Sequence, residues 1–441
     1  MTRIVTLFIM PKIRLPKQHG LRILQVIYDH GSISRSNIAQ LTGYSNFLVS
    51  KVCDSLLLDN LIEETGSGNS TGGRRPTLLS IRAGLGRVVG VHLGTVNARV
   101  IVTDLAGNEL AFVKAASRVK EGPETALNNL VGLINNTLVE SGSEIGHIHG
   151  IGMGISGILD RSTGTTVSWP KVPSWMNIGV RDFLAKHFDA ILGIEDTPRT
   201  MALAERRARL AEGTEEFIYV MLGAGIGSAL FLNGGLYTGR DGFAGEFGHV
   251  TVDEDGPVCA CGSRGCLETL VSASALIRRA EEAVAQGLSS YLWHIVQGNE
   301  TRISVELIVE AANNGDRFCL RLLNEAATHL GKGIVALTHL LNPELLVLGG
   351  GLALAAGHIM LPTVLRIVSE RALPRSASSV QIEVSSLADR DWARGASLLI
   401  TQEILKKMFL DSATARSLAP KTDEVEATGE YVNTERRQAS R

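Results

Sequence analysis

Three of the chain's five cysteines fall within Cys259-Ala-Cys-Gly-Ser-Arg-Gly-Cys266, and an imidazole, His249, precedes them by ten residues. Such a segment has little freedom in how it folds. Its glycines permit the tight turns that bring three thiolates to one tetrahedral ion, and His249 supplies the fourth ligand. The spacing of His249, Cys259, Cys261 and Cys266 is that of a zinc site; free or disulfide-bonded cysteines in a loop are the competing reading. Four protein ligands leave no open position on the metal. The zinc expected here, one per chain, is therefore structural and adds ~10 kcal/mol of binding energy to the folding of the loop.

A length of 441 residues has room for two to three domains, and 44% hydrophobic with 20% charged residues is the balance of a soluble globular protein. The apolar start, Ile4 to Met10, is seven residues long and runs into Pro11-Lys12 without a small-residue cleavage site. It reads as neither a signal peptide nor a membrane span, so a cytoplasmic protein with no membrane partner is expected. Charge is unevenly spread: residues 1–82 hold ten Lys/Arg against five Asp/Glu, so a chain of net −2 carries +5 at this end and −7 over the rest. A basic end on an acidic body points to nucleic acid as the partner of that end.

The order of elements in this end is specific. Leu21, Ile23, Leu24, Val26 and Ile27 mark a buried first helix ending at Gly31, and Ser34 caps a short second helix carrying Ile38, Ala39 and Leu41. Thr42-Gly43-Tyr44 then turns into a helix capped by Ser45, whose inner stripe is Val49, Val52, Cys53 and Leu56. The opposite face presents Ser45, Asn46, Phe47, Ser50 and Lys51, where a recognition helix reaches base edges and phosphates, although Phe47 also suits an inward position. Leu61 to Glu64 and Thr77 to Ile81 read as strands around a glycine-rich tip, Gly66 to Gly73, followed by Arg74-Arg75-Pro76. This is a wing, and its paired arginines suit phosphates or a narrow minor groove of a double-stranded DNA operator. A helical protein-contact module is the alternative.

After Arg82 the pattern changes to alternating strands and helices. Val88 to Leu93, Ala98 to Asp104, a helix near Glu124 to Ser141, and His149 to Ile155 are followed by a second set beginning at Phe217 to Leu222, with helices around Ala273 to Gln286, Ser304 to Asn314 and Phe318 to Leu341. Alternation of this kind predicts α/β layers, here in two lobes.

Gly223-Ala-Gly-Ile-Gly-Ser228, Gly239-Arg-Asp-Gly-Phe-Ala-Gly-Glu-Phe-Gly-His249 and the cysteine cluster ending Cys266-Leu-Glu268 together resemble the signature of the ROK family, which contains repressors and sugar kinases. The resemblance spans residues from about 19 to 405 and takes in the Gly72-Gly-Arg-Arg-Pro76 wing and the Leu348-Gly-Gly-Gly-Leu352 turn. It implies an actin-like (ribonuclease H-like) two-lobed ATPase fold preceded by a winged helix-turn-helix, with the sugar in the cleft between lobes. The expected division is 1–82 for the DNA-binding module, 83–205 for the first lobe completed by about 385–408, 206–384 for the second lobe, and 409–441 for a disordered tail. By the same resemblance Glu246, His249 and Glu268 match positions that contact sugar hydroxyls, Asp196 falls in a segment that holds the sugar, and His249, Cys259, Cys261 and Cys266 match the zinc ligands. The chemistry agrees: a carboxylate accepts from two adjacent hydroxyls, and a histidine with one nitrogen on zinc keeps the other as an oriented donor.

Two phosphoryl-transfer motifs of the family are altered. Where members read Asp-x-Gly-x-Thr, with the acid near the phosphates and magnesium, this chain has His92-Leu-Gly94-Thr-Val96. Where members read Glu-Asn-Asp-Ala-Asn, the aspartate being the base, it has Glu195-Asp196-Thr197-Pro198-Arg199, and counting back from Glu205 puts Thr197 at the base position. Losing a general base costs roughly 10²- to 10⁴-fold, and Asp196 takes that role only if the register shifts by one residue. No catalytic residue is assigned and ATP is not expected as a cofactor. The Gly223 to Gly227 run is open to two readings, a phosphate cradle or the tight turn of an α/β lobe. Arg199 would favour an anionic ligand.

The expectation is a sugar-responsive DNA-binding transcriptional regulator, a repressor of carbohydrate genes acting as a homodimer or homotetramer, with a small sugar or sugar phosphate as effector. An enzyme reading, a sugar kinase with residual activity, is the alternative, and a constitutive DNA-binding protein with a vestigial pocket is a third.

Overall fold

The computed structural model describes residues 17–68, 75–143, 148–169, 172–210, 214 and 216–418. Its first module contains α1 (Lys17–His30), β1 (Ile33–Ser34), α2 (Arg35–Thr42), α3 (Asn46–Leu58), β2 (Ile62–Ser67) and β3 (Thr77–Ile81), with the strands in the order β1-β3-β2. Local chemistry sets the helix ends. The Ser34 hydroxyl accepts from Asn37 N at 3.2 Å, Gly43 ends α2 in the left-handed conformation at φ 68°, and the Ser45 hydroxyl accepts from Leu48 N at 3.3 Å to start α3. Ile23, Ile27, Ile38, Val49, Leu56, Leu79 and Ile81 close a core beneath the three helices.

The body is one connectivity used twice. β4 (Arg87–Leu93), β5 (Asn97–Asp104) and β6 (Glu109–Ala116) form an antiparallel meander, α4 (Pro123–Glu140) crosses back, and β7 (Gly150–Ile155) pairs parallel with β4. A small sheet of β8 (Ile158–Asp160), β9 (Thr165–Ser168) and β10 (Ile178–Gly179), then α5 (Val180–Ala185), leads to β11 (Ile191–Asp196) and α6 (Thr197–Arg209). β12 (Phe217–Leu222), β13 (Ile226–Leu232) and β14 (Gly235–Tyr237) repeat the meander. Helices α7 (Leu267–Val271), α8 (Ala273–Ala285), α9 (Tyr291–Val296), α10 (Val305–Asn313) and α11 (Arg317–Leu341) follow, and β15 (Leu345–Gly349), α12 (Gly351–Arg371), α13 (Pro374–Ser379), β16 (Gln381–Val384) and α14 (Asp391–Leu418) complete the chain. The sheets run β6-β5-β4-β7-β11 and β14-β13-β12-β15-β16, the same order in each lobe. This is the two-lobed actin-like α/β fold behind a winged helix-turn-helix.

α14 is the spine between lobe and module. It lies on β4 and β7 because glycine on the strands lets it approach: a Cβ at Gly152 would strike the Ala396 carbonyl. Gly395 in turn lets α14 meet the Thr200 carbonyl of α6. One continuous apolar cluster therefore contains Ile23 and Ile27 of α1, Met201 and Ala202 of α6, Phe217 of β12, and Leu398, Ile404 and Phe409 of α14. α12 is long and apolar enough to cross a membrane by length and composition, with a mean hydropathy of 1.6, but Leu352, Ala356, Met360 and Val364 are buried in the second lobe.

Two expected boundaries need correction. The division at 205/206 cuts α6, which continues to Arg209. The disordered tail expected from 409 begins too early: α14 runs through 409–418, and Phe409, only 6% exposed, is held against Gly20. Residues 419–441 lie outside those described.

Candidate functional site

The helix-turn-helix exposes the face expected of it. Ser45, Asn46 and Lys51 are exposed and Ser50 is half-buried along the outer side of α3. Phe47, which suited either side, points outward with 59% exposure, and Lys51 Nζ lies 5.8 Å above its ring. Arg35 and Asp54 pair at 2.9 Å and tie α2 to α3. Arg75 is exposed at the start of the second wing strand; Arg74 lies outside the described residues.

The four expected metal ligands come together. A ring nitrogen of His249 and the thiols of Cys259, Cys261 and Cys266 all lie within 4.8 Å of one another. Cys259 Sγ is 3.6 Å from His249 Nδ1, and the Cys261 and Cys266 sulfurs are 3.6 Å apart. Zn–S and Zn–N bonds of about 2.3 and 2.0 Å in a tetrahedron put ligand atoms roughly 3.5–3.8 Å apart, so the donor types and these two separations fit that ion. The thiols are unlike one another: burial pushes Cys259 up to about 12, while the Ser263 backbone N–H first, and Cys259 second, draws Cys261 down to about 7. Gly265, at φ 61° and pressed against the Asp253 carbonyl, makes the turn that delivers Cys266.

Glu268, in the first turn of α7, stands beside the cluster. Its Oε1 accepts from Cys259 Sγ at 3.3 Å and lies 3.7 Å from His249 Nδ1, while its Oε2 lies against Gly225 of the glycine turn. Glu246 is exposed on the loop leading to His249, and the desolvation it does experience raises its carboxyl above the ordinary range, with His249 and Arg161 opposing. Asp196 faces Glu246 from the other lobe. Burial, then Glu195, raises the Asp196 carboxyl well above its ordinary range, with Glu246 adding and Arg161 opposing. The structure thus brings Asp196 of the first lobe near Glu246 of the second, with His249 and Glu268 beside Glu246.

Arg199 corrects an expectation. Its guanidinium is 3% exposed and is taken up by protein: NH1 pairs with Asp196 and, at 3.3 Å, with Glu195, and NH2 donates to the Gly242 and Ala244 carbonyls at 2.8 and 2.6 Å. It is not held out for an anionic ligand. Arg161 shares the carboxylates, 2.8 Å from Glu195 and 3.5 Å from Asp196. Nothing in the pattern around Arg161 marks it, since it follows a three-residue strand. Asp196 itself caps α6 by accepting from Arg199 N at 3.0 Å.

The two altered motifs are built into the core. Thr197 is fully buried as the first residue of α6, with its hydroxyl 3.3 Å from that of Ser156. His92 is 3% exposed, its Nδ1 is 3.2 Å from Arg99 NH1, and its ring tilts on Trp392 at 4.8 Å. Asp389 takes the rest of Arg99, at 2.6 Å, and Lys114, at 3.0 Å. Burial first, then Arg99, lowers His92 to about 3, so the ring is neutral.

A family model described as the ROK family matches residues 88–403. A xylose repressor from Caldicellulosiruptor bescii is 30% identical over 391 residues, covering 89% of this chain and 97% of that protein. A glucokinase from Thermotoga maritima is 30% identical over 318 residues, 72% of this chain and 98% of its own. Among solved structures, a ROK family transcriptional regulator homologous to the E. coli MLC protein aligns over 91% of this chain and 100% of its own, with TM-score 0.72 and 22% identity.

Proposed function

This chain belongs to the ROK family, and we propose that it is a sugar-responsive, DNA-binding transcriptional repressor whose kinase-derived cleft is the sensor. The observation that carries this reading is the replacement of phosphoryl-transfer chemistry by packing. At the phosphate-site position a neutral, buried His92 leans on Arg99 and Trp392, and at the base position the hydroxyl of a buried Thr197 meets that of Ser156. Neither group takes a proton from a hydroxyl at neutral pH or holds magnesium. Likeness to the xylose repressor over nearly its whole length supports the same reading.

In the cleft, Glu246, Glu268 and Asp196 are the acceptors for sugar hydroxyls, and the His249 Nε2–H is the oriented donor once Nδ1 is on zinc. The zinc is structural: with four protein ligands it shapes the loop and activates no water. On DNA, Lys51 and Arg75 meet phosphate while Asn46, Phe47 and Ser50 face base edges. The protein acts as a homodimer or homotetramer on an operator with two half-sites.

The test is selection of bound duplexes from random oligonucleotides by the full chain, repeated with D-xylose, D-glucose, N-acetyl-D-glucosamine and their phosphates. Enrichment of a two-fold symmetric site whose occupancy changes with one of these sugars supports the reading. Absence of any enriched site, or an enriched site indifferent to every sugar, refutes it.

A further inference from the structure

Helix α6 reaches from the second lobe to the DNA-binding module. α6 is 13 residues long, about 20 Å at 1.5 Å per residue. Its first turn holds the second lobe: Arg199 donates to the Gly242 and Ala244 carbonyls of the loop that carries Glu246 and His249. Its last turn holds α1. Arg206 makes two bonds to Asp29, at 3.0 and 2.5 Å, with side chains 14% and 5% exposed. Arg207 NH1 donates to the Tyr28 and Asp29 carbonyls, and its guanidinium lies 5.4 Å above the Tyr28 ring.

Between the two ends α6 is buried, its crossing with α14 is made by small residues, and Glu205 accepts from the Ser385 hydroxyl at 2.7 Å. Thr200, Ala202 and Ala204 face the core, with Gly395 of α14 under the Thr200 carbonyl and Gly227 of β13 under Pro198. Small residues at a helix crossing allow sliding without rotamer changes, the shear kind of motion. The contact with α1 is of the opposite type, since a two-bond arginine–carboxylate pair plus two carbonyls fixes both position and direction. A displacement at the first turn is thereby delivered to α1 with little loss.

We propose that α6 is the element that couples the cleft to the DNA-binding module, with Arg199 as the sensing contact and Arg206 and Arg207 as positioning residues that fix α1. This rests on the sugar-responsive reading above. A sugar seated between Asp196 and Glu246 competes with or reshapes the Arg199 bridge to the Gly242–Ala244 segment. The helix shifts as a body, and the angle of α1, and with it α3, changes. The spacing of the two recognition helices in a dimer then no longer matches the operator.

The experiment compares wild type with Arg206→Ala/Arg207→Ala and with the milder Asp29→Asn, none of which touches the sugar or DNA contacts. Three quantities are read: affinity for the selected operator, affinity for D-xylose, D-glucose, N-acetyl-D-glucosamine and their phosphates by calorimetry, and the ratio of operator affinities with and without the sugar that binds. In wild type the ratio is expected at about tenfold or more. In both variants it falls toward one while each separate affinity stays within about threefold. A merely structural role would lower operator affinity and leave the ratio in place, and that result overturns the proposal. If wild type binds a sugar and operator but shows no ratio, or binds none of the three sugars or their phosphates, the sugar-responsive reading itself falls.

Discussion

His249 and Glu268 meet at the edge of the metal cluster, with the imidazole Nδ1 3.7 Å from the carboxylate. The same carboxylate oxygen takes a hydrogen bond from Cys259 at 3.3 Å, so metal ligands and cleft share a wall. Loading one zinc should replace that thiol bond and leave Glu268 to face the cleft. Metal analysis of purified protein is expected to give one zinc per chain, and Cys259→Ser or Cys266→Ser to abolish it, with a loss of several kcal/mol of stability, on the order of the folding energy such sites supply. Protein with no zinc but unchanged melting and unchanged sugar binding would contradict the assignment.

The His92 ring sets a pH dependence whose sign is fixed by its burial. In the unfolded chain it titrates near 6.5, whereas in the fold it stays neutral down to about 3. Between these values the unfolded chain holds a proton that the folded chain does not, so stability is full above pH 6.5 and declines as pH falls toward 3. Asp389, held below its ordinary range by Arg99 and Lys114 against the cost of burial, loses stability on acidification as well. The difference between wild type and His92→Asn, which keeps an acceptor for Arg99, isolates the histidine. At pH 4.5 the variant should have lost roughly 3 kcal/mol less than wild type relative to pH 7.5, measured by urea unfolding; parallel curves would rule this out.

No sugar-dependent formation of ADP is expected from wild type with D-glucose, D-xylose or N-acetyl-D-glucosamine in a coupled assay. Restoring a carboxylate by Thr197→Asp alone should not start turnover, because the phosphate side still presents His92 and Arg99. Steady turnover by either protein would return the chain to the kinases.

On the recognition helix, Lys51 and Phe47 should separate by the kind of loss they cause. Lys51→Ala removes a phosphate partner, so affinity falls for every sequence and the slope of log affinity against log salt drops by about one. Phe47→Ala removes an exposed ring that suits thymine methyl groups, so it should relax base preference at one position and leave the salt slope alone. The reverse pattern would mean that Phe47 only supports Lys51.

What the sequence discloses here follows the range of its signals. Phe217–Leu222 and Thr77–Ile81 are legible to the residue because a run of apolar or alternating residues between turn signals has a period to read. The metal cluster is legible because its ligands are close in sequence. β8, β9 and β10 carry no such signal, being two to four residues long. Arg199 shows how a correct location gives a wrong role. The altered motif puts a cation in the cleft, but its partners, Gly242 and Ala244, lie over 40 residues away and no local pattern announces them. Asp29 and Arg206 are hidden for the same reason, since an ion pair between distant elements leaves no periodicity.

The end of α14 is where polar composition misleads and a single aromatic decides. Lys406, Lys407 and Asp411 surround Phe409, so the segment reads as solvated, yet the ring is 6% exposed and fills the space left by Gly20, where any Cβ would overlap it. That contact and the Arg206–Asp29 pair are separate anchors of α1 on the body. Phe409→Ala should cost about 3–5 kcal/mol if the cavity stays open, and less if α1 settles into it. Gly20→Ala attacks the same interface from the other side by overpacking, at a cost of about 1–3 kcal/mol. Each should make the α1 region the first site of limited proteolysis while the two lobes remain resistant. Because the residues touch, the double variant should cost less than the two single losses added together, as the methyl group of one partly fills the space vacated by the other. Strict additivity in urea unfolding would show that Phe409 and Gly20 do not meet in solution.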